Sequence, residues 1–286
     1  TTIDTDQWLD VMRRDPRRLY GNSADLVQQH VLPLLETNKL DELSATVYAL
    51  YEQWRTRNGT AIFELAMYVW AGHKAGRYSA DVWATILAIA WQSGSRGMMA
   101  ATVLTQAQVI EMFKAAPRPT LLRMGESVDC DLNKEFEELP DSFQVFRGMS
   151  TGISHFENGF SWTLDPEEMV KFAALNCQNK KEIPGFVLAV IPKEAVLAMF
   201  SYEREVVVDP TVAKLEVQKH FLRGKELRDF HKKIDVAANT EDIMFNTGYQ
   251  ANRKAAHAAA MLDAEKPNYV TAAANGSTGL TSPLTT

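Results

Sequence analysis

The run Leu139-Pro140-Asp141-Ser142-Phe143-Gln144-Val145-Phe146-Arg147-Gly148 divides the chain into two unlike parts. Upstream of it, residues 1 to 139 read as helix after helix, because apolar residues recur every three or four positions with few β-branched runs. Leu40, Leu43, Val47, Leu50, Tyr51 and Trp54 fall on one helical face, with Asn58-Gly59 as a stop. Ser23 before Ala24 to Glu36, and Ser79 to Asp81 before Val82 to Trp91, mark further helix starts. Trp54, Trp70, Trp83, Trp91, Met98 and Met99 stand at helical spacing and are expected to fill the core, with no chemistry assigned to them.

Downstream of Pro140 the pattern changes to short β-prone runs: Phe143 to Phe146, Gly185 to Ile191, Glu205 to Val208 and, more weakly, Leu215 to Phe221. Between them Asp165-Pro166-Glu167-Glu168 opens a helix, with Asp at the cap, Pro at the first position and Glu at the third. Its Met169, Val170, Phe172 and Ala173 are expected to face a sheet. The fold class is therefore α+β: a helical region over 1–139, a mixed core over 140–235, and an alanine-rich segment with a flexible tail over 236–286.

With 286 residues, 46% of them hydrophobic, the chain can bury a sizeable core. A net charge of −6 argues against broad nucleic-acid affinity. Cys130 and Cys177 stand far apart, and the six histidines show no metal-ligand spacing, so neither a disulfide framework nor a metal is expected. The start Thr1-Thr2-Ile3-Asp4 lacks a basic stretch followed by an apolar one, and no run reaches the roughly 18 apolar residues of a membrane span. A cytoplasmic setting is the expectation.

Three segments of the second half carry candidate chemistry. Arg147-Gly148 ends a β-prone run with a planar fork able to grip a phosphate and a glycine that permits close approach. Gly159-Phe160-Ser161-Trp162-Thr163 sets two hydroxyls and two aromatics just before the capped helix. Read blandly, those aromatics are core and the hydroxyls serve a turn. Read functionally, an aromatic stacks on a ring and Ser161 fixes a carboxylate or the arginine. Tyr202-Glu203-Arg204-Glu205 places carboxylates at i and i+2 at the head of an apolar strand. Strand alternation would put both on one side, about 7 Å apart, with Arg204 opposite.

Arg147, Ser161-Trp162-Thr163 and Glu203-Arg204-Glu205 resemble, in order, the arginine, Ser-x-Thr/Ser and Glu-x-Glu motifs of the R-S-E class of mono-ADP-ribosyltransferases, prokaryotic and bacteriophage members above all. The likeness covers about residues 140 to 222 and includes Trp162-Thr163-Leu164-Asp165, Phe172-Ala173, Val187 to Ile191 and Val196-Leu197. Only 14 positions separate Arg147 from Ser161, fewer than in many members, so a helix of the first half fills that place or another arginine serves. The 44 positions from Ser161 to Glu205 match the family.

The resemblance implies a split-sheet core that takes NAD⁺ as substrate, without a metal, and cleaves its nicotinamide–ribose bond. Glu205 would stabilise the cationic ribose, Ser161 would orient Glu205, and Arg147 would hold a phosphate or the adjacent ribose. Phe160 or Trp162 would wall the nicotinamide pocket, with Gly148 and Thr163 beside the cofactor. Glu203 would align the acceptor, most often an arginine side chain of a protein, and take its proton. An effector or toxin acting on cytoplasmic proteins of a host or cell fits that class, with no membrane partner. NAD⁺ glycohydrolysis, transfer to nucleic acid and a non-catalytic interaction role are the competing readings. The helical region either docks the acceptor or completes the core.

Overall fold

The computed structural model describes residues 27–55, 61–94, 104–127, 130–151, 159–177, 182–214 and 217–230. A π turn over Val27–Val31 leads into α1 (Leu32–Thr37), which Asn38 ends in the left-handed conformation at φ 55°. Then come α2 (Leu40–Arg55), α3 (Ala61–Lys74), α4 (Ala80–Gln92), α5 (Gln106–Lys114), α6 (Arg118–Gly125) and α7 (Leu132–Glu138). The caps follow the residue types: Ser79 accepts from the Val82 N–H, Thr105 forms a capping box with Gln108, and Asp131 accepts from the Lys134 N–H. Leu43, Val47 and Leu50 are buried on the expected face of α2. Every residue of α4 from Val82 to Trp91 is buried, so this helix is the hub of the helical region. The starts expected at Ser23 and the stop at Asn58-Gly59 lie outside the described residues, as does everything beyond Phe230, including the segment assigned to a tail.

The second part is a six-stranded, wholly antiparallel sheet in the order β4-β5-β2-β1-β3-β6. Its strands are β1 (Ser142–Ser150), β2 (Ser161–Thr163), β3 (Pro184–Pro192), β4 (Val196–Phe200), β5 (Glu205–Val208) and β6 (Val217–Phe221). β1 and β3 pair along their whole length, from Ser142 with Pro192 to Ser150 with Pro184. β1 and β2 meet at a single pair, Phe146 with Thr163, so the two halves of the sheet join at a narrow junction.

Helix α8 (Pro166–Leu175) lies on the β1 and β3 side, started as expected by Asp165, which accepts from the Glu167 N–H at 2.7 Å, and by Pro166. A short α9 (Pro210–Ala213) is capped by Asp209, and 224–230 form α10. Two of the strands, β2 and β4, were not expected as strands. β2 has three residues, too few for an alternation to register. β4 is buried at all five positions of Val-Leu-Ala-Met-Phe, a run whose composition serves a buried helix equally well.

Two large cores flank the β4-β5-β2 half. One unites α2, α3, α4 and α5 with Phe160, Leu197, Ala198, Phe200 and Val207. The other joins Val145, Met149, Val187, Trp162, Val206 and Val208 with Leu122 of α6 and Leu132 of α7. The change at Pro140 is thus a change of secondary structure, and the helical core continues across it.

Candidate active site

Glu205 opens β5 and stands opposite Thr163 of β2, with Val206 opposite Trp162 and Val207 opposite Ser161. Pleating sends Val206 and Val208 to one core and Val207 to the other, and Glu205 shares the side of Val207. That side is covered by α4. Glu205 is consequently only 9% exposed, and Trp91 of α4 donates its indole N–H to Oε1 at 3.0 Å. The Ser161 hydroxyl donates to the same carboxylate, and the Arg147 guanidinium adds a nearby positive charge. Burial raises the Glu205 pKa above the ordinary glutamate value, and these three groups oppose the rise without cancelling it.

Glu203 is not on the strand. It lies in a tight 3-10 turn, Tyr202–Arg204, with φ 64° and ψ 8°, and Arg204 follows at φ 45°. Strand alternation therefore does not relate the two carboxylates, as the i, i+2 spacing had suggested; a left-handed turn does. Several bonds hold that turn. Thr163 Oγ1 donates to the Glu203 carbonyl at 2.7 Å, the Leu164 N–H to the Arg204 carbonyl at 3.0 Å, and the Arg204 N–H to the Ser201 carbonyl at 3.2 Å. From the helical region, the Gly125 carbonyl accepts from the Ser201 N–H at 2.9 Å and from its hydroxyl at 2.8 Å, and Glu135 pairs with Arg204 at 3.2 Å. Burial, then the Glu205 charge and the Glu168 charge, raise the Glu203 pKa to about 7, with Lys171 acting against them. Glu168 and Lys171 form a 2.7 Å ion pair on α8.

Arg147 reaches β2, where its Nη1 donates to the Ser161 carbonyl at 3.1 Å. A side chain at Gly159 would collide with this guanidinium, so the glycine is what lets the arginine lie there. The structure thus brings Arg147, Ser161, Glu203 and Glu205 together. Gly148 is different. The space its Cβ would need is filled by the backbone of Met169, Phe172 and Ala173, so the glycine seats α8 on β1 rather than opening a close approach for a phosphate.

Phe160 and Trp162 are both core residues, as in the bland reading of that segment. Phe160 is 3% exposed and sits in the helical core, edge-on to Trp91. Trp162 is 2% exposed in the other core, its indole N–H donating to the Gly159 carbonyl at 2.9 Å. Thr163 also serves local structure, since besides holding Glu203 its hydroxyl accepts from the Asp165 N–H at 3.0 Å.

Trp91 is the site residue that sequence reasoning missed. It precedes Glu205 by 114 positions, and nothing in its neighbourhood distinguishes it from the other core tryptophans. Among the described residues no group of three or more His, Cys, Asp or Glu is placed to hold a metal, and no helix is long and apolar enough to cross a membrane. Comparison of the chain with known protein families, curated proteins and solved structures finds no match.

Proposed function

We propose that this chain is a mono-ADP-ribosyltransferase that cleaves NAD⁺ between nicotinamide and ribose and transfers ADP-ribose to arginine side chains of cytoplasmic target proteins. The observation that carries the reading is a buried carboxylate, Glu205, fixed by two hydrogen-bond donors and joined by Arg147 and a second carboxylate, Glu203. The narrow junction of β1 with β2 also suits the split sheet that the resemblance implies.

In this mechanism the C1′–N bond breaks, its electron pair leaves with nicotinamide, and positive charge develops on the ribose as in glycoside cleavage. Glu205, held where little water reaches it, opposes that charge. A guanidine nitrogen of the acceptor then bonds to C1′ and its proton passes to Glu203, whose pKa near 7 matches a base working at neutral pH. Arg147 supplies positive charge for the NAD⁺ phosphates or the adjacent ribose. Phe160 and Trp162 act from within the two cores and do not touch the nicotinamide.

Glu205→Gln should abolish both nicotinamide release and transfer, whereas Glu203→Gln should lose transfer and keep NAD⁺ hydrolysis. Both activities are measured on tagged NAD⁺ in a bacterial lysate, with modified residues located by mass spectrometry. A fully active Glu205→Gln protein would overturn the proposal. Nicotinamide release with no label on any macromolecule would reassign the chain as an NAD⁺ glycohydrolase.

A further inference from the structure

We infer that Trp91, contributed by the helical region, is a positioning residue that holds the Glu205 carboxylate in one orientation and favours its charged form. The inference deepens the transferase reading and rests on it for the consequence in catalysis.

A buried indole N–H must find an acceptor, because leaving it unpaired forfeits its hydration. In α4 the usual solution is visible one face away: Trp83 donates to the backbone carbonyl of Met112 at 2.8 Å. Trp91 instead donates to a side-chain carboxylate on a strand of the sheet. Its ring has little freedom to turn. Phe113 of α5 meets it edge-on at 4.9 Å and 85°, and Phe160 meets it at 6.3 Å and 89°. The direction of the N–H is therefore fixed by packing, and with it the Oε1 atom that it holds. The side chains that act on Glu205 are Ser161 from β2, Trp91 from α4 and Arg147 from β1, while Glu205 in turn acts on Glu203 in the turn before β5. Among the described residues, Trp91 is the one of these supplied by the helical region.

Charge-assisted hydrogen bonds favour the ionised carboxylate, so deleting this one raises the pH needed to ionise it. Phe160 acquires a role on the same account: it acts on Glu205 through Trp91.

The test uses the full chain with Trp91→Phe, and Trp83→Phe as a control that removes an indole of the same helix without touching Glu205. With NAD⁺ as substrate, Trp91→Phe should lower kcat for nicotinamide release at neutral pH at least tenfold, leave KM within about threefold, and move the acid limb of the pH profile up by about one to two units. Trp83→Phe should leave that limb where it is. Independently of turnover, carbon-13 titration of glutamate-labelled protein, with Glu205 assigned through Glu205→Gln, should show the Glu205 midpoint rising in Trp91→Phe alone. Should Trp91→Phe fold poorly, 3-benzothienylalanine at position 91 keeps the bicyclic shape and removes the N–H.

An unmoved Glu205 titration overturns the positioning role even if the enzyme is active, and so does an acid limb that moves equally in Trp83→Phe. Absence of nicotinamide release from the unaltered chain sinks the transferase reading instead, while the titration still decides the role of Trp91.

Discussion

Glu203 and Arg204 both occupy the left-handed region, at φ 64° and 45°, where a residue with a Cβ is held at a cost of roughly 1 kcal/mol or more. The bonds from Thr163, Gly125 and Glu135 offset that cost and hold the Glu203 side chain beside Glu205. The charge on Glu203 is a second burden on the fold. Its pKa in the folded protein is about 7 against an ordinary 4.5, so the folded chain keeps a proton that the unfolded chain releases. This contribution to stability is complete below pH 4.5 and is lost as pH rises toward 7. Glu203→Gln should therefore be more stable than the unaltered protein at pH 8, by about 1–2 kcal/mol after allowance for solvent screening, with the gap closing near pH 4.5. Thermal melts of both proteins across that range check it, and a constant gap would mean that the carboxylate is not strained by its surroundings.

At the scale of elements, α8 adds to what burial and the Glu205 charge impose on Glu203, since Glu168 and Lys171 both act on it from that helix. α8 rests on Gly148, where a methyl group would meet helix backbone rather than a yielding side chain. Gly148→Ala should destabilise the protein by about 3 kcal/mol in urea denaturation, an overpacking effect. An unchanged midpoint would show that α8 can shift on β1 at little cost. The elements also separate what sequence pattern can and cannot reveal. α4 and α8 are legible because Ser79, Asp165 and Pro166 signal their starts chemically. β2 and β4 are not, because strands of three residues, or buried on both faces, carry no alternation.

For the whole molecule, the decisive fact is that Phe160, Leu197, Ala198, Phe200 and Val207 belong to the same core as α2 to α5. Lys114 of α5 adds an ion pair at 2.8 Å with the wholly buried Asp209, next to β5. Removing residues 1–139 would expose that face of the sheet to water, together with Glu205 and its lost Trp91 partner. Residues 140–286 alone should accordingly be insoluble or lack cooperative unfolding, whereas a soluble fragment with a sharp melting transition would show that the helical region is a separable docking unit.

The sequence alone was enough to read the order of a helical part and a mixed part and most helix starts, and to single out Arg147, Ser161, Glu203 and Glu205, which the fold brings together; all of these readings rest on local chemistry or short spacing. The tertiary structure alone decided that Glu203 sits in a left-handed turn, that Phe160 and Trp162 are core, and that Trp91 reaches Glu205. Those outcomes depend on which distant surfaces pack together, and contacts between residues 114 positions apart leave no trace in local periodicity.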